Sequence, residues 1–117
     1  MRNEKLSDID RLKHILDNTK VIQIFVKGLS KQDFLNDLKT KYACAKALQD
    51  IGEAAARISD KMRIEYNNID WRSIVGVRNI ITHEYFGIDY QVVWNIITDD
   101  IPVLENQIKE ILNSLLL

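Results

Sequence analysis

The sequence predicts an all-α protein, an antiparallel bundle of four to five helices, and three observations carry that prediction. Apolar residues make up 46% of the 117 residues and charged residues 28%, an ordinary globular balance. Four glycines and one proline are too few for the many turns of a β-sandwich. Long stretches repeat their apolar residues at helical spacing. The length fits one domain, residues 1–117, able to bury a core without staples.

The elements follow in order. Ser7 is positioned to cap a first helix, with Asp8 and Asp10 suited to its positive end. Ile9, Leu12, Ile15, Leu16, Ile22 and Val26 recur along it, and Gly28 stops it. Ser30 caps a second, long segment, with room for a break near Lys39. Phe34, Leu38, Tyr42, Ala45, Leu48, Gly52 and Ala55 form its stripe, which ends near Ile58. A glycine inside a helix costs about 1 kcal/mol relative to alanine, and the usual compensation is the close approach of a neighbouring helix. The polar stretch "SDKMRIEYNNID" reads as a connection with room for one helical turn. Asp70 caps a third helix from Trp71 to about Tyr85, Gly87 ends it, and Asp89 caps a fourth. Val93, Ile96, Ile97, Leu104, Ile108, Ile111 and Leu115 line the inner face of the last element. Pro102 cannot donate to the helix ladder, so it either kinks that element or starts a new helix capped by Thr98, Asp99 or Asp100.

Composition narrows the function classes. The net charge of −1 gives no bulk attraction to nucleic acid, so any such contact needs a local patch. The lone cysteine, Cys44 between Ala43 and Ala45, excludes an intrachain disulfide, suits a reducing cytoplasm, and reads as a small packed residue. The polar residues 1–10 do not resemble a signal peptide, and no apolar run reaches membrane-spanning length. The two histidines, His14 and His83, are far apart, and there is no HExxH, no paired cysteine and no glycine-rich phosphate loop. Neither a metal site nor another cofactor is expected.

The chemically capable groups cluster in "VRNIITHEYFG", positions 77–87. Trp71, Ile74, Val75, Arg78, Ile81 and Thr82 share one stripe of the third helix, which puts a permanent cation on its core-facing side. Burying that cation unpaired is costly, so Arg78 needs a carboxylate partner, a cleft or a path to water. Glu53 in "IGEAA" is the candidate partner, with a solvated glutamate as the plain alternative. His83 follows Arg78 by five residues, about 140° around a regular helix, so the two flank a groove without stacking on one face. Asn79 shares the face of His83. Taken alone, the residues favour a surface histidine at a helix end for His83 and an amphipathic interface tyrosine for Tyr85.

At these residues the sequence resembles a known family. "RNIITHEY" is similar to the Arg-x4-6-His motif of HEPN domains and closer still to the Arg-x4-His-x-Tyr form of HepT toxins. "LQDIGEAA", "IDWRSIVGVRN", "YFGIDYQVVW" and "DDIPVLENQI" also look like segments of that family, in order, over nearly the whole chain. Two positions depart from the pattern: Glu84 follows the histidine where glycine or another variable residue is expected, and Asp70 stands where a proline usually precedes the tryptophan.

The resemblance implies a bundle of HEPN type and a metal-independent endoribonuclease, the toxin of a toxin–antitoxin pair. Arg78 and His83 would be catalytic, Asn79 supporting, and Tyr85 the site at which a MntA-like nucleotidyltransferase antitoxin attaches AMP. The expected partners are a second copy of the chain, that antitoxin and RNA. The chemistry suits the residues: attack by the RNA's own 2′-hydroxyl needs an acid, a base and a cation, but no metal. The alternative is a non-catalytic HEPN module that binds a nucleotide or a protein.

Overall fold

The computed structural model describes residues 3–83 and 87–116, except the side chains of residues 82 and 83. Its elements are α1 (Glu4–Val26), α2 (Lys31–Leu35), α3 (Leu38–Ala56), α4 (Asp60–Glu65), α5 (Trp71–His83), α6 (Tyr90–Asn95), a π-helical turn (Ile96–Asp100) and α7 (Ile101–Leu115). No strand occurs among the described residues, and the chain forms the all-α bundle expected of the HEPN type. Helix α1 packs between α3 and α7, and α3 in turn carries α5. Arg78 and the backbone of His83 therefore ride on a helix attached chiefly to α3.

The first helix begins a turn earlier than the Ser7 cap predicts. The Asn3 side chain accepts from the Lys5 amide at 2.8 Å and starts the helix at Glu4. Asp8 also does more than face a helix end. It is buried, and its carboxylate accepts from the Ser59 amide at 2.9 Å and hydroxyl at 2.6 Å. A cap thus becomes a tie between α1 and the start of α4. Gly28 adopts φ +79° just beyond α1, a conformation that costs glycine little and other residues much.

The long second segment breaks at residues 36–37, close to the predicted Lys39. Ser30 and Asp33 form a reciprocal capping box on α2, and Asp37 caps α3 through the Thr40 amide at 3.0 Å. The break resets the helical phase, and this corrects the predicted stripe: Leu38 and Tyr42 are exposed, while Cys44, Leu48, Ile51, Gly52 and Ala55 face the core. Cys44 is a packed thiol whose pKa burial pushes up to about 11, with the Asp37 charge adding to the shift.

Pro102 needs no capped break. None of Thr98, Asp99 and Asp100 caps α7; the Thr98 hydroxyl bonds back to the Trp94 carbonyl at 3.0 Å, and Asp100 makes no capping bond. Instead the turn widens, and the Ile101 amide reaches the Ile96 carbonyl five residues back. Widening relieves the clash that a proline ring makes with the preceding turn. The chain so runs from α6 into α7 while keeping Val93, Ile97, Leu104, Ile108 and Ile111 buried.

Candidate functional site

The site is built from the start of α5. Asp70 caps it, accepting from the Ser73 amide at 3.1 Å and hydroxyl at 2.7 Å. These bonds, the hydroxyl's first, hold the Asp70 carboxyl below the usual aspartate value of 3.8. Trp71 is buried, and its indole donates to the Tyr66 carbonyl at 3.0 Å, which fixes where the helix enters the bundle.

About two turns further on, α5 meets α3 at Gly52. A methyl group at Gly52 would lie 2.8 Å from Arg78 Cβ and 3.0 Å from its backbone nitrogen. The glycine in the middle of a helix is thus explained by the approach of its neighbour, and the neighbour is the motif arginine itself. The contact is to backbone and Cβ, so it locates the root of the side chain firmly.

From that root Arg78 extends to Glu53, with Nη1 3.5 Å from Oε2. Both side chains remain more than a third exposed, at 36% and 46%. The candidate pairing is present, but it is long and solvated. Pairs of this kind contribute about 0–1 kcal/mol, so a phosphate group can compete for the guanidinium.

Asn79 is exposed on the outer side of α5. His83 is the last residue of the helix, so regular helical spacing from Arg78 holds through to its backbone. Its side chain lies outside the described residues, as do Glu84 and Tyr85; Gly87, where the helix is predicted to have ended, is described and is not helical. Among the described residues no cluster of histidine, cysteine or carboxylate groups is arranged to hold a metal ion. No described helix is long and apolar enough to cross a membrane.

A feature not singled out by motif lies beside Glu53. A cleft of about 420 Å³ opens along the seam of α1 and α3, with Arg11, His14, Asp50, Glu53 and Arg57 among its walls. The available sequence signal is the i, i+3, i+4 spacing of polar residues on both helices. That spacing does not reveal which faces meet.

A bundle of this type, with Arg78 and His83 five residues apart on a helix carried chiefly by α3, defines a class, and comparison with known proteins identifies it. Residues 15–111 match the family "Ribonuclease HepT-like", and the chain belongs to that family. It is similar to a protein of Caldanaerobacter subterraneus subsp. tengcongensis named "Putative RNase", at 39% identity over 88% of this chain and 92% of the relative. A Methanocaldococcus jannaschii protein of the same designation is 36% identical over 81% of this chain and 87% of its own length. A Thermococcus cleftensis relative named "Probable ribonuclease HepT" is 34% identical over 92% of this chain and 97% of its own length. No solved structure gives a significant match.

Proposed function

We propose that the chain is a metal-independent endoribonuclease and the toxin of a toxin–antitoxin pair. Membership of the HepT-like ribonuclease family supports ribonuclease activity, as do relatives named as RNases along almost their full length. The observation that carries the assignment to particular residues is the Gly52 contact. Among the described residues it places the family's motif arginine at a rigid root, with a guanidinium held only loosely by Glu53.

In this reading Arg78 holds phosphate oxygens and offsets the charge of the transition state. His83 moves the proton, as an imidazole can near neutral pH. Asn79, one residue beyond Arg78, supports the pair from the outer face. The 2′-hydroxyl attacks the adjacent phosphate, the 5′-oxygen leaves, and the product carries a 2′,3′-cyclic phosphate. One chain supplies one motif histidine, whereas acid and base roles are best served by two. A two-fold dimer along α5 doubles the set. Ile74, Val75, Val77 and Ile80 are only half-buried on that helix, which supports a second copy there. Silencing then falls to a MntA-like nucleotidyltransferase that attaches AMP to Tyr85.

The test is incubation of labelled RNA with the wild type, Arg78→Ala and His83→Ala in the presence of a chelator. The wild type is expected to cut and leave cyclic phosphate ends. Arg78→Ala should raise the barrier by about 2.7–4 kcal/mol. His83→Ala should slow the reaction roughly 10²–10⁴-fold. Cleavage that needs added magnesium, or that survives in both variants, overturns the mechanism.

A further inference from the structure

Two polar ridges face each other across the α1–α3 seam. Ser7, Arg11 and His14 recur at helical spacing on α1, and Asp50 and Glu53 do so on α3, with Arg57 at its C-terminal cap. Together with Asp10 and Ala54 they enclose the cleft of about 420 Å³, a size in the ordinary range for a small-molecule site. Extensive packing between α1 and α3 keeps the two ridges in place. Glu53 belongs to both this cleft and the motif, since its carboxylate also reaches Arg78. The cleft therefore opens directly beside the arginine assigned to the scissile phosphate.

The lining selects among ligands. Seven of the eight lining residues are polar or charged, while their side-chain stems add apolar surface, which suits a guest with both polar groups and a flat apolar face. A bare anion would meet three carboxylates. A nucleotide uses both signs: arginines hold its phosphate, while carboxylates and a hydroxyl accept from ribose hydroxyls and exocyclic base amines. Neither Arg11 nor Arg57 meets a carboxylate at ion-pair distance among the described residues. Their charge is thus available to a ligand.

We propose that this cleft is a nucleotide subsite, which receives a unit of the RNA strand next to the scissile phosphate. Arg11 and Arg57 hold the neighbouring phosphodiester, and His14, Asp50 and Glu53 face the sugar and base. The proposal deepens the ribonuclease reading and rests on it for the identity of the strand.

The test uses the full chain and two forms of one fluorescent octaribonucleotide. The fully 2′-O-methylated form cannot be cut by hydroxyl attack, so its anisotropy titration reads binding alone. Arg11→Gln/Arg57→Gln is expected to weaken binding about 10–100-fold. Loss of two contacts should also flatten the dependence of log Kd on log salt by about 1.4. Lys20→Ala/Lys31→Ala, at exposed positions outside the cleft, should bind as the wild type does. With the unmodified form, the arginine variant should raise KM by the same factor and leave kcat within about twofold. It should cut a dinucleotide, which spans only the scissile phosphate, as well as the wild type does. Wild-type cleavage with unchanged KM and affinity in the arginine variant overturns the subsite and leaves the ribonuclease reading standing. Arginine-dependent binding without any cleavage does the reverse. No binding at all, or equal loss in the lysine variant, overturns the subsite. Arg11→Lys/Arg57→Lys, which keeps the charge and the stems, should retain most of the affinity; loss as large as in the glutamine variant assigns the arginines to structure and overturns the proposal.

Discussion

Gly52 and Arg78 meet through atoms that cannot move aside. Because the obstructing groups are Cβ and backbone, Gly52→Ala has to push α5 away from α3. Overpacking of this kind costs about 1–3 kcal/mol, and the better helix propensity of alanine returns about 1 kcal/mol. A net destabilisation of about 1 kcal/mol is expected in urea unfolding, with at least a tenfold loss of RNA cleavage because the guanidinium is displaced. An active, stabilised variant would show that the contact does not position the arginine. The second residue-scale prediction concerns Tyr85. AMP attached there would add a phosphate two residues from His83 and compete with RNA for the Arg78 cation. Co-expression with the cognate nucleotidyltransferase should add one or more AMP masses to the tryptic peptide 79–109 and lower activity. Tyr85→Phe should block both changes, and AMP found on another residue would refute the assignment. At this scale the sequence displays the ingredients only. It shows a glycine within a helix, an acid beside it and a cation on an inner stripe. That they converge depends on the register between α3 and α5, which no local pattern encodes.

Helix boundaries depend on short-range chemistry, and most of them can be read from the chain. Ser30, Asp70 and Asp89 cap as their residue types suggest, and Gly28 takes the positive φ that its position invites. The misreadings have physical causes. Asn3 competes successfully with Ser7 because it caps as well and lies nearer the start. Leu38 and Tyr42 carry apolar atoms at the expected spacing, but the break before Asp37 rotates them outward. Pro102 is absorbed by a widened turn because an almost continuous apolar face keeps α6 and α7 in line. The Asp70 cap yields a prediction with a definite sign. Its folded-state pKa is depressed, so its contribution is present above the unfolded value of 3.8 and is lost as the pH falls through the lower, folded value. Thermal melts taken downward from pH 5 should show a decline in Tm below about pH 3.8. Asp70→Asn, which cannot titrate, should melt lower at pH 5 and lose less on acidification. An equal acid response in both proteins would place the effect on other carboxylates, among them Asp37, which is lowered in the same way by its bonds to Thr40.

At the scale of the whole molecule, the charges divide unevenly. Residues 1–72 contain 14 Lys+Arg and 11 Asp+Glu, a net of +3, whereas residues 73–117 contain 2 and 6, a net of −4. The positive portion includes α1 and α3, but the cleft they form carries two arginines against three carboxylates, so its attraction for RNA rests on where Arg11 and Arg57 stand and not on a net positive surface. The proposed dimer predicts a mass of about twice 13.6 kDa by light scattering at micromolar concentration. A strict monomer there would remove the shared cleft and the second histidine. Substituting Val77→Glu on the half-buried face of α5 should favour the monomer and reduce activity together. The arrangement of the bundle has a further consequence. Helices α1 and α3 each have a neighbour on two sides, but α5 leans chiefly on α3. Opening α5 alone gives up one set of contacts, so its amide hydrogens should exchange with solvent earliest of the long helices. If a second copy completes the enclosure, α5 exchange should slow as protein concentration rises, while exchange in α1 and α3 stays constant.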